Sequence, residues 1–428
     1  MSLREYLRSL RGAVSSRRLP GNVSSLIHGA AEVVASSYSL HKRRRAGIFL
    51  STPLLAAELV KNHQLHIATA APVLDPAMGC ADLLLACATR LPRRRSLAAT
   101  LQLWSDVMWG FETNEDLIAV GKLRLVLLAR ILHPNSSGVG SDEIARLFGN
   151  FAPADFLASN LSKLPRGLCV VANPPFTLRA APRASATRSG TASAAALFLE
   201  KICREGPELS QISMLLPEVL RCGTSYRKLR AEIAQYVEVV DQRSLKRRDC
   251  WPDVDIDVFI GQYRRLSPEQ VFAPDVVSRN AHLPSRPGKR LDELADLRVG
   301  PVVPYRTPHT GPWRKYITAR SVPAWADRHV PLASRRYDGP FSQPPFLVVR
   351  RTSRPDRPYR AVGSLIVGEA PVAVENHLII VKPKDGRLAT CQDLLWALKG
   401  DAVNEQLDET MRCRHLTVES LKALQVSI

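Results

Sequence analysis

The 428-residue sequence lacks the patterns that mark several common classes of protein. No apolar run approaches the roughly 20 residues that a membrane-spanning helix needs. The first residues also lack the apolar core of a secretory signal. The eight cysteines form no Cys-x-x-Cys pair and have no histidine partners at zinc-ligand spacing. We therefore predict a cytoplasmic protein with reduced, mostly buried thiols and without a metal site.

Signatures of phosphate loops and common nucleases are also absent. There is no Gly-x-Gly-x-x-Gly sequence and no Gly-Lys-Ser/Thr sequence, so a phosphate loop is not expected. No convincing Pro-Asp…(Asp/Glu)-x-Lys constellation is found, so we predict no fused nuclease.

Positive charge, in contrast, is in excess. The chain has 59 lysine and arginine residues against 40 acidic residues, which leaves a net charge of +19. A surplus this large favours a polyanionic partner, with nucleic acid first and an anionic membrane second. The length indicates more than one domain.

The most informative stretch is Asn173-Pro174-Pro175-Phe176, which follows the apolar run 168–172. The run predicts a buried strand, and prolines cannot donate to a sheet ladder, so the strand must end there. Asn173 then lies at the carboxyl end of a strand, where open α/β sheets bind ligands. Its side-chain oxygen and the Pro174 carbonyl are acceptors, and Phe176 offers a flat face. This combination suits a planar ring that carries an amino group.

Two strand ends upstream carry an acidic residue, and a third unit contains another. The first strand ends at Asp75, and a turn through Gly79 leads into a helix, so that backbone N–H groups can approach a ligand. The second ends at Glu112, where a carboxylate can grip a ribose diol. The third unit contains Asp155-Phe156. Continuous strand–helix alternation from 72 to 200 predicts an α/β fold with a doubly wound parallel sheet.

The flanks of this region are less specific. Residues 1–46 are predicted to be helical, and Thr52-Pro53 has the pattern of a helix start, although this corner could also close over a ligand. Residues 177–193 contain Arg179, Arg183 and Arg188 and no acid, so we predict a mobile loop that covers a polyanionic substrate or serves as a solvated linker. Trp251 precedes an alternating strand at 254–260 and either packs in a core or stacks on a base.

A linker is predicted at 277–290, followed by a region rich in short strands. We expect strands at 299–304, 346–351, 362–367 and 378–383, and helices at 391–399 and 418–425. Arg350 and Arg351 in this region are candidate base readers, since arginine commonly makes bidentate contacts to guanine, or candidate phosphate contacts.

Taken together, these residues resemble the N6-adenine DNA methyltransferases of the gamma arrangement found in restriction-modification systems, and above all the single-chain Taq type. The likeness covers about 47–260 through motifs in the family's order. Over 285–428 it consists only of short strand-rich segments with many arginines. Asn173-Pro174-Pro175-Phe176 matches the family's Asn-Pro-Pro-Tyr/Phe signature, and Asp75-Pro76-Ala77-Met78-Gly79-Cys80-Ala81 is similar to its glycine turn. Ala81 stands where that turn usually has a second glycine.

The resemblance implies a Rossmann-like class I methyltransferase domain at 47–276 that uses S-adenosylmethionine, and a DNA target-recognition domain at 291–428. It implies a cofactor site formed by Thr52, Pro53, Asp75, Ala77, Gly79, Glu112, Asp155, Phe156 and Asn173. It also implies that the target adenine is flipped out and stacked between Phe176 and Trp251, while Asn173 and Pro174 accept its N6 hydrogens.

Other functions stay open at this point. One alternative is a DNA-binding specificity protein with a catalytically weakened methyltransferase fold. Ala81 would favour it, and so would Trp251, which stands where the family's base-stacking aromatic is more usually Phe. Another is a protein glutamine methyltransferase that acts on a release factor, although the +19 charge and residues 285–428 count against it. Double-stranded DNA is the predicted partner, with a cognate restriction endonuclease or a specificity subunit as a further one.

Overall fold

The computed structural model describes residues 1–182, 185–187, 190–208, 210–245, 256–267, 287–353, 358–410 and 415–428. The chain divides into two compact units, residues 1–220 with 225–279 and residues 221–224 with 280–428. Trp251, Arg183 and Arg188 lie outside the described residues, as does most of the predicted linker 277–290.

The first unit is built on a seven-stranded sheet. The strands of this unit are β1 (Val73–Asp75), β2 (Met108–Glu112), β3 (Phe151–Pro153), β4 (Cys169–Ala172), β5 (Leu178–Ala180), β6 (Thr191–Ser193), β7 (Gln211–Pro217), β8 (Val237–Ser244) and β9 (Val258–Arg265). β5 and β6 pair with each other in a separate two-stranded sheet.

The order of strands in the large sheet is β3-β2-β1-β4-β7-β9-β8. The first five are parallel, whereas β9 is antiparallel to both of its neighbours. The chain runs outward from β1 to β3 and then returns to β4, so the order reverses between β1 and β4. Ligands of open α/β sheets bind at such a switch point, at the carboxyl ends of the strands. The predicted α/β fold with a mostly parallel central sheet is confirmed.

Helices cover both faces of this sheet. They are α1 (Leu3–Ser15), α2 (Val23–His28), α3 (Ala30–Ser37), α4 (Leu40–Ala46), α5 (Pro53–Val60), α6 (Gln64–Ala68), α7 (Asp82–Ala88), α8 (Leu97–Val107), α9 (Glu115–Leu132), α10 (Ser141–Arg146), α11 (Ala194–Glu205), α12 (Glu218–Cys222) and α13 (Arg227–Ile233). Side chains alternate across a strand. Val171 therefore packs in the core beneath α1 to α9, and its neighbour Val170 packs in the core beneath α11 and α13.

Three local predictions in this unit need correction. Residues 177–193 are predicted as a loop, but their ends pair as β5 and β6. The strand predicted at 254–260 runs instead over Val258–Arg265 in the described residues. β8 was not predicted. This strand lies at the sheet edge and most of its residues are exposed or half-buried, so its sequence has no clear apolar alternation.

The second unit is rich in strands. These are β10 (Lys289–Arg290), β11 (Ala295–Val299), β12 (Trp313–Ile317), β13 (Ser334–Arg336), β14 (Phe346–Arg350), β15 (Gly363–Ile366), β16 (Val372–Val374), β17 (Leu378–Pro383) and β18 (Gln425–Val426). Four of them form an antiparallel sheet in the order β11-β17-β14-β15, and three form a sheet in the order β13-β12-β16. The helices are α14 (Leu291–Leu294), α15 (Leu388–Lys399), α16 (Asp401–Thr410) and α17 (Val418–Lys422).

The strands predicted at 346–351, 362–367 and 378–383 are confirmed to within one residue. The strand predicted at 299–304 is wrong, since β11 ends at Val299. The last predicted helix ends at Lys422, and the chain then forms β18. Within the described parts of both units, no helix is long and apolar enough to cross a membrane.

A buried arginine on α9 fixes the turn that follows β1. Arg124 is almost fully buried and donates from Nε to the Ile27 carbonyl at 2.6 Å and from Nη1 to the Cys80 carbonyl at 2.5 Å. Its Nη2 donates to Asp82 Oδ1 at 2.8 Å. One guanidinium thus joins α2, the glycine turn and the first residue of α7.

We expect Arg124→Ala to destabilise the protein by about 3 kcal/mol, because breaking a buried ion pair leaves the partner charge uncompensated. Arg243→Ala is a matched control, since the Arg243–Glu58 pair is half-exposed and such pairs contribute at most about 1 kcal/mol. Urea unfolding measures both variants. Equal losses in the two variants would contradict this role for Arg124.

Candidate functional site

A cavity of about 530 Å³ lies at the carboxyl ends of β1, β2, β3 and β4. Its volume is within the range of about 300–1,000 Å³ that is typical of small-molecule sites. Its walls come from the turns after these strands and from residues 45–50. This segment contains the last two residues of α4 and the four residues that follow it. The predicted residues Ala77, Gly79, Glu112, Asp155, Phe156, Asn173 and Pro175 all line it.

The side chain of Asn173 is held in one orientation. Its Nδ2 donates to the Phe49 carbonyl at 3.0 Å and to Ser51 Oγ at 3.1 Å. A carbonyl can only accept a hydrogen bond, so the nitrogen of the amide must face Phe49. Oδ1 therefore points the other way and is kept as an acceptor.

The segment that holds Asn173 closely approaches Pro175, in the turn that follows β4. Gly47 has a φ of +70°, and a Cβ placed on it would lie 2.3 Å from the Cβ of Pro175. Only glycine allows this contact without a shift of the backbone. The close approach brings Phe49 and Ser51 within hydrogen-bonding distance of Asn173.

The glycine turn and Glu112 are joined by hydrogen bonds. Gly79, with a φ of +49°, donates from its N–H to Glu112 Oε2 at 3.2 Å. Glu112 Oε1 accepts from the Asn114 N–H at 2.9 Å and from Thr113 Oγ1 at 3.3 Å. A carboxylate has about four lone-pair sites, so Oε2 keeps one acceptor site, and a second becomes available on Oε1 when the Thr113 hydroxyl turns away.

Ala81 occupies the position at which the family that the sequence resembles usually has a second glycine. It has a φ of 66° and is fully buried. Its methyl group faces Gly121 on α9, where an added Cβ would lie 2.9 Å from it. Gly121 thus makes room for Ala81, and Ala81 is not part of the cavity wall.

Asp155 and three phenylalanines form the far wall. The Phe156 ring packs edge-on against Phe111, with 5.3 Å between centroids, and lies 5.0 Å from Phe198. Burial raises the pKa of Asp155, but hydrogen bonds from Arg179 and the Leu157 N–H outweigh it, and the pKa lies below its ordinary value. An apolar wall beside an ionised acceptor suits a flat ring that bears a donor.

Asp75 does not line the cavity, contrary to the expected approach to a ligand. Its side chain is 1% exposed and accepts from the Ala77 N–H at 3.1 Å, beneath the turn. Burial raises its pKa to about 8, and the charges of Asp82 and Glu112 add to the effect. Asp75 thus supports the turn from below.

Several other predicted residues also lie outside the cavity wall. Thr52 caps α5 by accepting from the Leu55 N–H, and Pro53 is the first residue of that helix. Phe176 is half-buried and packs against both cores of the first unit. In the second unit, Arg350 and Arg351 donate to the carbonyls of Val322 and Asn376, each at 2.9 Å.

The cavity wall also contains residues that were not predicted from the sequence, among them Tyr38, Lys42, Phe111 and Phe198. Tyr38 accepts from Asn114 Nδ2 at 3.3 Å, and Lys42 Nζ lies 4.6 Å from the Tyr38 ring centroid. Phe198 reaches the wall from α11. The basic run His41–Arg45 was the only available signal for the first two, and no local signal marks Phe198.

The sequence matches no protein-family model and no curated protein at a significant level. Among solved structures, the chain is similar to the type IIL restriction-modification enzyme MmeI in complex with DNA. The TM-score is 0.54 at 12% identity, over 93% of this chain and 70% of that one.

The type IIG restriction endonuclease BpuSI is similar over 94% of this chain and 60% of its own, at 13% identity and a TM-score of 0.43. The M protein of the type I restriction enzyme EcoKI is similar over 62% of this chain and 68% of its own, at 13% identity and a TM-score of 0.32. The chain spans 51% of the first such structure, from Vibrio vulnificus. At these identities the similarity to MmeI shows a shared fold.

Asp75 makes the stability of the protein depend on pH. Because its folded-state pKa of about 8 is above the ordinary value near 4, the folded state retains a proton that the unfolded state loses, and stability falls as pH rises from about 4 to 8. In Asp75→Asn, which keeps the acceptor for Ala77, this fall should disappear. Urea unfolding at pH 5 and pH 8 measures it, and an unchanged pH dependence would refute the assignment.

Proposed function

We propose that the protein is a site-specific DNA methyltransferase that transfers a methyl group from S-adenosylmethionine to N6 of adenine. The observation that carries the proposal is the fixed amide of Asn173. The Phe49 carbonyl and Ser51 hold its nitrogen, so that Oδ1 is an oriented acceptor at the end of β4, beside the cavity.

The cavity residues fit the proposed cofactor. S-adenosylmethionine, when bound, supplies an electrophilic methyl group. Glu112 has acceptor sites for ribose hydroxyls, and Asp155 is an ionised acceptor for the adenine amino group, next to the Phe111–Phe156–Phe198 wall. Gly79, without a side chain, lines the same space.

The proposed chemistry uses oriented acceptors and needs no side chain with a shifted pKa. Asn173 Oδ1 and the Pro174 carbonyl accept the two hydrogens of the target amino group, which concentrates electron density on N6. Alignment of the reacting groups then supplies most of the catalysis. An adenine within a duplex must be flipped out to reach this site, and the proposed stacking partners are Phe176 and Trp251.

The proposed partner is double-stranded DNA, in a restriction-modification context with a cognate endonuclease or a specificity subunit. The net charge of +19 and the structural similarity to MmeI, which was solved with DNA, support this partner. The proposal of a weakened enzyme loses one of its two arguments, because the Ala81 methyl group is accommodated by Gly121 and faces away from the cavity wall.

Asn173→Ala should abolish methyl transfer, while affinity for S-adenosylhomocysteine changes by less than about threefold. The reason is that Asn173 Oδ1 is the proposed acceptor for the target amino group, whereas Glu112 and Asp155, the proposed partners of the ribose and adenine, are unchanged. Transfer of labelled methyl groups to DNA and calorimetric titration of S-adenosylhomocysteine measure the two effects.

Ser51→Ala is the matched control. It leaves Oδ1 in place and removes one of the two partners of Nδ2, so we expect activity to fall by about tenfold, in line with one hydrogen bond. The proposal fails if Asn173→Ala retains near-normal transfer, or if wild-type protein binds no S-adenosylhomocysteine.

A further inference from the structure

Arg179 forms a bidentate ion pair with Asp155 at the cavity. Nη1 donates to Oδ1 at 3.2 Å and Nη2 to Oδ2 at 2.8 Å. Arg179 lies on β5, three residues after Phe176, and both partners line the cavity. The sequence predicted a DNA contact for this arginine, whereas the structure joins it to an acid of the proposed cofactor site.

The contacts of Asp155 leave a defined acceptor site. Oδ1 accepts from Arg179 and from the Leu157 N–H at 3.0 Å, and Oδ2 accepts from Arg179 alone. Of about four lone-pair sites on the carboxylate, the described residues occupy three, and the fourth belongs to Oδ2. A single donor, such as one hydrogen of an exocyclic amino group, matches this site.

We propose that Arg179 is a positioning residue that holds the Asp155 carboxylate, so that Oδ2 selects the amino group of the adenosyl moiety. The inference rests on the proposed function. Without Arg179 the carboxylate would keep only the Leu157 N–H, and it could rotate and solvate freely. Affinity for an adenosyl ligand would then fall, and so would discrimination against a ligand with a carbonyl in place of the amino group.

The pair also connects distant parts of the sheet. Asp155 follows β3 and Arg179 follows β4, and these strands are separated by β2 and β1. The ion pair therefore ties β5, directly beyond Asn173-Pro174-Pro175-Phe176, to the wall that would receive the adenine ring.

Calorimetric titration of the full chain with S-adenosylhomocysteine and S-inosylhomocysteine tests the inference. For Arg179→Ala we expect roughly tenfold weaker binding of the adenosyl ligand and a several-fold smaller ratio between the two ligands, since a charge-assisted pair is lost. Arg179→Lys, with one point charge, should recover part of the ratio. Arg243→Ala, which removes an arginine of similar exposure from a distant pair, should change neither value.

An unchanged ratio in Arg179→Ala would overturn the positioning role, even if the affinity for both ligands fell. If wild-type protein bound neither ligand, the proposed function itself would fail. The two failures are therefore distinguishable.

A second observation concerns the exposed end of the β13-β12-β16 sheet in the second unit. Trp313 is 71% exposed, and Arg336, directly opposite on β13, is exposed too. Directly opposed residues share a sheet face, and so do residues two apart on a strand, so Lys315 lies on this face as well. Residues 306–336 contain seven arginines and lysines and one acid, Asp327.

We infer that Trp313, Lys315 and Arg336 form a contact surface for double-stranded DNA. Positive charge around an exposed aromatic ring suits phosphates beside an apolar or base contact. Arg336 Nε donates to the Gly311 carbonyl at 3.0 Å and Lys315 Nζ to the Leu332 carbonyl at 3.4 Å. Arg350 and Arg351 also donate to carbonyls of their own unit, but they are half-buried whereas Arg336 is exposed. Asp338, two residues beyond Arg336, is engaged by Thr310 Oγ1 at 3.4 Å. This inference also rests on DNA as the partner.

Trp396 provides a matched control within the same unit. It is 73% exposed and has Lys399 Nζ 5.5 Å from its ring centroid. However, the next helix, α16, carries the acids Asp401, Glu405, Asp408 and Glu409. An exposed tryptophan beside a cation is thus common to both places, while the surrounding charge differs.

Fluorescence anisotropy with a labelled 30-base-pair duplex tests the surface over a range of salt concentrations. Arg336→Ala should reduce the slope of log affinity against log salt by about 0.9, the value for one phosphate contact. Trp313→Ala should weaken binding by roughly tenfold, and Trp396→Ala by less than twofold.

Circular dichroism checks that each variant is folded. Equal effects of Trp313→Ala and Trp396→Ala would overturn the inference. A Trp313→Ala variant that binds DNA normally but changes its oligomeric state in sedimentation would assign the face to protein association. If the wild-type chain bound no duplex, the proposed partner would be wrong, which is a different failure.

Discussion

The guanidinium of Arg124 lies under the part of the structure on which the cavity depends. It reaches three separate pieces of chain, the Ile27 carbonyl, the Cys80 carbonyl and the Asp82 carboxylate. Because the glycine turn is held from below in this way, the Gly79 N–H can meet Glu112 across the ends of β1 and β2. The cavity wall is therefore a consequence of buried hydrogen bonding in a helix that does not itself carry the site's acids.

The hydrogen bonds and burial of Asp75, Glu112 and Asp155 give these three acids different roles. Asp75 is buried and keeps its proton near neutral pH, so it acts as part of the support. Glu112 and Asp155 are each engaged by backbone N–H groups of their own turns, which fixes the carboxylate plane. Asn173 differs again, since its nitrogen donates to Phe49 and Ser51 while its oxygen accepts from no group among the described residues. All three acids lie at or just after the end of a strand, yet Asp75 supports the turn while Glu112 and Asp155 present acceptors to the cavity.

The sequence was sufficient to predict what is local. An apolar run that stops at a polar residue marks a strand end, and this pattern placed Glu112 and Asn173 at strand ends, as the structure does. Asp155 was a candidate through the family resemblance. Contacts between segments far apart in sequence could not be predicted. The Arg179–Asp155 pair and the Gly47–Pro175 contact both depend on the register of the whole sheet. The burial of Asp75 was not predicted either. An aspartate is normally charged, and only the packing of segments distant in sequence around it raises its pKa. The edge strand β8 was not predicted, because a strand with mostly exposed residues has no alternation of apolar and polar side chains.

The place of β9 in the sheet has a consequence for how the chain is made. Among the described strands, β8 pairs with the sheet only through β9, which comes later in sequence and lies between β7 and β8. During synthesis from the N-terminus, the edge of β7 is therefore unpaired until residues up to Arg265 have left the ribosome. The cavity strands β1 to β4 are complete well before that point. An exposed strand edge is a site of aggregation, so the interval before β9 arrives is the period when the nascent chain most needs protection by a chaperone.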